Sequence, residues 1–100
     1  NAKKIITPQY IIGIVAEHFN ILPEDIVSRR RNSELVQPRQ ICMYLCRHMT
    51  EESLQSIAQA LGKKDHTTVI HGIDKITYEI TVNEELKNRI DIITKKINPD

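Results

Sequence analysis

Apolar residues recur at intervals of three and four along most of the 100-residue chain, a spacing typical of amphipathic α-helices. No segment alternates apolar and polar residues with the period of two that indicates a strand. Glycine is scarce, and no repeat or low-complexity tract occurs. A chain of this length has room for one modest core. The pattern therefore predicts a single all-α domain of about six helices over residues 1–100.

The first three helices are predicted from their prolines. A capping hydroxyl, Thr7, directly precedes a proline, which predicts a first helix over Pro8–Phe19. Pro23 predicts a short helix that ends at about Ser28. The run SRRRNSE has no apolar periodicity and is predicted to be an exposed loop. Pro38 is then predicted to begin a third helix, which is apolar around most of its circumference and therefore central.

Two further helices with a tight turn between them have the proportions of a helix-turn-helix. The first is predicted over Leu54–Leu61, with Gly62 just past its end in the position that favours a left-handed backbone. Asp65 can cap the second, which is predicted to extend to about Ile80. A last amphipathic helix is predicted from Asn83. It carries four apolar residues on one side: Leu86, Ile90, Ile93 and Ile97.

The second helix of this motif has an apolar face and a hydrogen-bonding face. The apolar face comprises residues three or four apart: Val69, Ile73, Ile76 and Ile80. Thr67, His71 and Tyr78 lie opposite. Threonine combines a hydroxyl with a methyl group that can contact thymine, and His can bond a base edge, so this face suits a major groove. Lys63 and Lys64 stand beside the positive end of the helix dipole and favour phosphate.

The formal net charge of +1 is small for a nucleic-acid binder, but the charge is unevenly distributed. The segment between Ser28 and His48 contains a single acid, Glu34, and five arginines: Arg29, Arg30, Arg31, Arg39 and Arg47. The arginine run lacks apolar anchors, so we expect DNA binding to order it. Flexible basic arms of this kind enter the minor groove. A solvated, non-binding loop is the alternative.

A metal or catalytic site is the main competing hypothesis. Zinc ligands are available in five residues: Cys42, Cys46, His48, His66 and His71. However, no paired C-x-x-C spacing occurs, and Cys42 and Cys46 fall in an apolar segment, so both are predicted to be buried, reduced thiols. A Cys-His-Asp triad would lack a glycine-rich oxyanion loop. The run GKKDHTT lacks the residue order of a phosphate-binding P-loop.

The sequence also bears on location and on what lies outside the chain. No apolar run approaches the roughly 20 residues that a membrane-spanning helix needs, and the N terminus has no signal-peptide pattern. We therefore expect a cytoplasmic protein without a membrane span. The chain begins without an initiator Met, so we expect a piece excised from a larger protein, with residues 1–5 disordered or foreign to it.

Three segments, in this order and spacing, resemble the C-terminal DNA-binding domain of the bacterial replication initiator family DnaA: SRRRNSELVQPRQICMYLCR, SLQSIAQALG and KKDHTTVIHGIDKI. The resemblance covers nearly the whole chain from about Ile6, and the run Asp65–Val69 is highly specific in this context. It implies an all-helical, nucleoid-associated domain that binds double-stranded DNA at DnaA boxes of the type TTATNCACA.

The resemblance also implies roles for individual residues. Asp65, His66 and Thr67 are expected to contact bases in the major groove. Arg31 is expected to enter the minor groove at the A·T end of the box. Gln55, which falls where many members carry a proline that contacts a thymine methyl group, is also expected to contact a base. Phosphate contacts are expected from six residues: Arg30, Arg39, Gln40, Arg47, Lys64 and Thr68.

Full-length members of the family carry an ATP-binding AAA+ module and an N-terminal interaction domain. ATP and Mg²⁺ are therefore expected in that module, and we expect neither a cofactor nor enzymatic activity in this domain. The isolated domain is expected to be a monomer, and the full-length protein is expected to oligomerise at the origin. Non-specific DNA binding and a protein–protein adaptor role remain the alternatives to sequence-specific binding.

Overall fold

The computed structural model describes residues 5–99, and every regular element in that range is an α-helix. The helices follow in chain order: α1 (Pro8–Phe19), α2 (Pro23–Ile26), α3 (Ser33–Met49), α4 (Leu54–Ala60), α5 (His66–Val82) and α6 (Glu84–Ile97). The predicted all-α architecture of about six helices is confirmed. Of residues 1–5, for which disorder was one expectation, residues 1–4 lie outside the described part. None of the described helices is long and apolar enough to cross a bilayer.

α1 begins and ends where the sequence predicted, because both ends carry local signals. Thr7 Oγ1 accepts a hydrogen bond from the backbone N–H of Tyr10 at 3.1 Å, and Pro8 is the first helical residue. Asn20 adopts a left-handed backbone with a φ of 57° and ends the helix. α2 ends at Ile26, slightly before its predicted end.

α3 begins at Ser33, so the prediction that Pro38 starts this helix is wrong. Pro38 lies in the second turn, where its missing N–H removes one backbone hydrogen bond, to the carbonyl of Glu34. Leu35 is only 3% exposed and extends the apolar face of α3 by one turn, so its burial offsets that loss. The exposed loop is therefore shorter than predicted, and an apolar anchor follows it.

The core forms where α3 packs against its neighbours α1, α2, α4 and α5. The largest fully buried aliphatic side chains come from all six helices and the end of α4: Ile11, Ile26, Ile41, Leu45, Ile57, Leu61, Ile76, Ile93 and Ile97. α3 and α5 approach closely because Gly72 has no side chain. A Cβ at Gly72 would collide with the sulfur of Met43. α5 is thereby seated directly on the central helix.

Asn83 joins α5 to α6 without an intervening loop. It ends α5, and its Oδ1 accepts a hydrogen bond from the N–H of Leu86 at 3.1 Å as the N-cap of α6. Leu86, Ile90, Ile93 and Ile97 are buried, which confirms the predicted inner face of the last helix. α6 packs against α1 and α5, and the first turn of α5 remains exposed.

Candidate nucleic-acid interface

The turn between α4 and α5 is set by Gly62, as the sequence predicted. α4 ends at Ala60, and Gly62 adopts a left-handed backbone with a φ of 71°. The N–H of Gly62 donates to the carbonyl of Gln59 at 3.1 Å, and that of Lys63 donates to the carbonyl of Ala58 at 2.8 Å. This is the Schellman arrangement. The chain therefore leaves α4 in a fixed direction and turns directly towards α5.

Gly62 also joins this turn to the segment that follows α2. A Cβ at Gly62 would collide with the carbonyl oxygen of Val27, so only glycine permits this approach of the two backbones. The contact brings Arg29–Arg31, which we name the arginine loop, beside Lys63 and Lys64. Two basic segments that are far apart in the sequence thus become neighbours.

The first turn of α5 presents polar side chains to solvent. Asp65 is its N-cap, and Asp65 Oδ1 accepts a hydrogen bond from the N–H of Thr67 at 2.9 Å. This hydrogen bond lowers the pKa of the Asp65 carboxyl below its ordinary value, so the carboxylate is ionised at neutral pH. Asp65, His66, Thr67 and Thr68 are all exposed, whereas Val69 is fully buried. We name Asp65–Thr68 the α5 tip.

A cleft of about 340 Å³ lies between the arginine loop and the turn before α5. Its lining is almost entirely cationic: Arg29, Arg30, Arg31, Arg39, Gly62, Lys63 and Lys64. Asp25 lies near the loop, with its Oδ1 3.7 Å from Arg30 Nη1 in a partly exposed pair, so it offsets only one of these positive charges. We name this surface the basic cleft. Its concentration of one sign of charge attracts a polyanion.

Lys63, which the sequence predicts to favour phosphate together with Lys64, lines the basic cleft. Its side chain is half-buried, and its pKa is lowered first by burial and then by repulsion from Arg39, Arg31 and Arg29. A phosphate bound among these cations would relieve that repulsion. The sequence already indicated Lys63 through its position beside the positive end of the α5 dipole. The turn at Gly62 fixes the direction of its backbone.

A second cleft, of about 240 Å³, separates the start of α5 from α3. Three of the residues predicted to contact phosphate line it together with Lys63 and His71: Arg39, Gln40 and Thr68. Buried Met43 and Gly72 supply its apolar part. The structure therefore brings Gln40 and Thr68 together at one edge of the α5 tip, as joint phosphate contacts require.

Arg39 differs from the other residues predicted to contact phosphate because it is buried, with 6% of its surface exposed. Its guanidinium donates hydrogen bonds to Asp25, Ile26, Ser28 and Arg30. The observed contacts of Arg39 are thus intramolecular. A direct contact between Arg39 and phosphate stays a prediction.

Arg47 and Gln55 line neither of the two clefts. Arg47 is exposed in the last turn of α3, and Gln55 is exposed in the first turn of α4. Both side chains are open to an external partner. Their predicted contacts with phosphate and base stay predictions.

The two cysteines lie in the core of α3, as predicted. Cys42 and Cys46 are free thiols with 0% exposure. Burial raises the pKa of Cys46 to about 12, and it raises the pKa of Cys42 as well. Both are therefore protonated at neutral pH and are poor metal ligands in this state. Across residues 5–99, no group of three or more His, Cys, Asp or Glu side chains is arranged to hold a metal ion.

An all-α domain in which a capped, exposed helix tip follows a tight glycine turn and adjoins a basic cleft has the features of a helix-turn-helix DNA-binding domain. The family model described as bacterial dnaA protein helix-turn-helix matches residues 8–76. The chain therefore belongs to the bacterial DnaA helix-turn-helix family, whose members are DNA-binding proteins of replication initiation.

Individual relatives agree with this assignment. The chain is 43% identical to the chromosomal replication initiator protein DnaA of Lachnoclostridium phytofermentans, over 97% of the chain and 21% of that protein. It is 44% identical to the protein of the same name from Oenococcus oeni, over 95% of the chain and 21% of that protein. The chain thus spans about a fifth of the length of these relatives.

A solved structure confirms the fold. The crystal structure of a DNA replication initiation factor superposes with a TM-score of 0.80 at 37% identity. The match covers 90% of this chain and 27% of that one.

Proposed function

We propose that this domain binds double-stranded DNA sequence-specifically, at DnaA boxes of the type TTATNCACA. The observation that carries the proposal is the adjacency of the exposed α5 tip and the basic cleft, which the contact between Gly62 and Val27 brings together. The tip offers hydrogen-bonding side chains, and the cleft offers cations. This division suits a protein that reads bases with one element and positions itself on phosphates with the other.

In the major groove, the α5 tip reads base edges. The Asp65 carboxylate can accept a hydrogen bond from the amino group of cytosine, and the methyl group of Thr67 can contact thymine. His66 lies between them and can bond a neighbouring base. Gln55, exposed at the start of α4, is the fourth residue proposed to reach a base from this side.

In the minor groove, Arg31 reads the A·T end of the box. A narrow A·T minor groove has an enhanced negative potential that attracts arginine. Arg31 is exposed and lines the basic cleft, so it lies beside cations that can hold the intervening phosphates. The loop and the helix tip would thereby contact DNA on both sides of one backbone strand.

Phosphate contacts fix the register of the domain on DNA. They are proposed for five residues whose role the family resemblance implies, Arg30, Gln40, Arg47, Lys64 and Thr68, and for Lys63, whose position beside the helix dipole favours phosphate. Lys63 and Lys64 stand immediately before the N-terminus of α5, whose unpaired N–H groups and dipole also favour phosphate. Each such contact adds to the salt dependence of binding.

The test is a titration of labelled duplexes that contain either the intact box or a scrambled one, at two stated salt concentrations. We expect the intact duplex to bind on the order of 1,000-fold more tightly. Equal affinity for both duplexes would show non-specific binding through the basic cleft alone. Failure to bind either duplex would support an adaptor function.

The relatives that share this domain are about five times as long and are named chromosomal replication initiators. We propose that the domain anchors a protein of that kind at a replication origin in the nucleoid. On this proposal the isolated domain is a monomer, whereas ATP, Mg²⁺ and self-assembly belong to the rest of the protein.

A further inference from the structure

A single side chain from α3 holds the segment that carries the arginine loop. Arg39 is buried at the start of the third turn of α3. Its guanidinium donates four hydrogen bonds to this segment: Nε to the carbonyl of Ile26 at 2.6 Å, Nη1 to the carbonyl of Arg30 at 2.6 Å, and Nη2 to the carbonyl of Asp25 at 2.8 Å and to Ser28 Oγ at 3.3 Å. Most donors of the guanidinium are therefore occupied within the protein.

The planar guanidinium is the chemical reason that one residue can do this. Its N–H groups point in several directions within one plane, so they reach acceptors on both sides of a turn. α2 ends at Ile26, and the last carbonyls of a helix lack helical partners. Arg39 supplies donors to two of them. A lysine ammonium carries its donors on one nitrogen and cannot span the same set.

Ser28 completes the network around Arg39. Its hydroxyl donates a hydrogen bond to the carbonyl of Asp25 at 2.7 Å and accepts one from the N–H of Arg30 at 3.2 Å. The chain from Asp25 to Arg30 is therefore closed on itself and tied to α3. Burial lowers the pKa of Arg39, and the nearby Asp25 carboxylate opposes this effect. The guanidinium remains charged at neutral pH.

We infer that Arg39 is a positioning residue for DNA recognition, which orders the arginine loop before DNA is bound and so presents Arg31 to the minor groove. The role of Arg31 rests on the proposed function, whereas the order of the loop in the free domain does not. A loop that is already ordered loses less conformational entropy on binding. Arg39 would thus raise affinity through the order that it gives to the loop. This inference replaces the expectation that DNA orders the loop.

The first experiment measures hydrogen exchange in the free domain, with Arg39→Lys as the main variant. This change keeps the positive charge and removes the planar donor set. Within residues 28–32 we expect the amides of Ser28 and Arg30, which donate hydrogen bonds in the free domain, to exchange several-fold faster, while those of α5 are unchanged. Arg89→Lys, the same change on α6, is the matched control and should leave the loop protected. Unchanged exchange at residues 28–32 in Arg39→Lys would overturn the inference.

A second variant covers the possibility that Arg39→Lys fails to fold. Ser28→Ala keeps the guanidinium and removes a hydroxyl that bonds both Arg39 and Arg30. The amide of residue 28, which donates to the carbonyl of Asp25, is the informative probe, because the Arg30 amide loses its own acceptor in this variant; we expect the residue 28 amide to exchange faster, but to a smaller extent than in Arg39→Lys. No change in this folded variant would also count against the inference.

The second experiment compares box duplexes that end in A·T or in G·C pairs. The ratio of the two affinities measures what Arg31 contributes. Arg39→Lys should lower this ratio towards that of Arg31→Ala, and Arg31→Ala should lower it little further in the Arg39→Lys background. The salt dependence on a scrambled duplex should stay unchanged, because the charge is kept.

A direct phosphate contact by Arg39 makes the opposite prediction. Arg39→Lys would then keep the ratio, and Arg39→Gln would reduce the salt dependence by about one counterion without loosening the loop. That pair of results would overturn the inference. If the unmodified domain binds intact and scrambled duplexes equally, the proposed function fails, whereas the exchange measurement still decides whether Arg39 orders the loop.

Discussion

The α5 tip and the arginine loop lie side by side, but they are held in different ways. The tip begins a long helix that is capped by Asp65, anchored by Val69 in the core and seated on α3 through Gly72. The residues of the arginine loop are all exposed. The geometry of the loop depends mainly on Arg39.

This difference determines what a single substitution can reveal. The order of the tip is distributed over a cap and several core contacts, so truncating one exposed side chain there should remove a proposed DNA contact and leave the backbone in place. The order of the loop depends mainly on the guanidinium of Arg39. The shape of the loop can therefore be changed at Arg39, and its proposed DNA contact can be removed separately at Arg31. The predictions below test this contrast, in order of decreasing effect on DNA recognition.

Thr67→Ala should have the largest effect. We expect binding to the intact box to weaken by about 1–3 kcal/mol, roughly 10- to 100-fold, because a base contact is lost. Melting temperature should change little, since Thr67 is exposed and its backbone N–H, which alanine keeps, bonds the Asp65 cap. Binding to a scrambled duplex is the internal control. An equal loss on both duplexes would place Thr67 among the phosphate contacts.

Two substitutions at Asp65 should separate its contact with DNA from its cap. Asp65→Asn keeps an oxygen that can cap α5 and removes the charge, so it should weaken specific binding with little change in melting temperature. Asp65→Ala should weaken binding and also lower the melting temperature by several degrees. Titrations and thermal melts of both variants check this. Equal melting of the two variants would contradict the capping role.

The same residue carries a pH dependence. The folded-state pKa of Asp65 is lowered from its ordinary value of 3.8, so the stabilisation is present above the unfolded pKa and is lost as the pH falls through the folded pKa. The gap in melting temperature between the original chain and Asp65→Ala should therefore close in that acidic range.

Arg31→Ala should weaken binding about tenfold on a box with an A·T end and clearly less on one with a G·C end, where the amino group of guanine obstructs the groove floor. Arg29→Ala is the matched control from the same loop, and its effect should depend little on the end base pairs. Anisotropy titrations of both variants on both duplexes give the comparison. An Arg31 effect independent of the end would make the loop a solvated segment or a phosphate contact.

Lys63→Ala should weaken intact and scrambled duplexes by a similar, smaller factor. Removing one phosphate contact should reduce the salt dependence of binding by about one counterion. Lys87→Ala removes an exposed lysine that pairs with Asp91 on α6, and it should change neither quantity. A preference for the intact box that changes in Lys63→Ala would assign this lysine to base reading.

Joint replacement of Cys42 and Cys46 by Ala should have the smallest effect on recognition, because both thiols are buried in the core and line neither cleft. We expect the free energy of unfolding to fall by about 1–3 kcal/mol through lost packing. Helical content and DNA affinity should persist, and a chelator should change neither. Stoichiometric zinc that disappears with these substitutions would establish a metal site instead.

The same contrast explains what could be predicted from the sequence. The α5 tip depends on local signals, so Asp65 as cap, Gly62 as turn and the exposure of Thr67 followed from neighbouring residues. The start of α3 was placed too late because Pro38 is a strong local signal, whereas Leu35 stabilises an earlier start only once α3 packs in the core.

Local sequence signals could not predict the role of Arg39. In the sequence it is one of five arginines in a basic segment, and its hydrogen bonds to carbonyls up to 14 residues away exist only in the folded chain. The arginine run lacks apolar anchors, as the sequence predicted, but the polar side chain of Arg39 holds it in place. Residue type indicates what a side chain can bond, but the tertiary fold decides which backbone groups it meets.

The contact between Gly62 and Val27 has a consequence for the DNA itself. Since no side chain separates the two backbones, the arginine loop and the α5 tip, which we propose to bind different grooves, are held close together. A duplex presents both grooves at matching positions only within a limited range of helical twist. The domain would therefore discriminate among duplexes by their helical twist as well as by their bases. On under- or overwound DNA, the contacts of the arginine loop and those of the α5 tip would not form together.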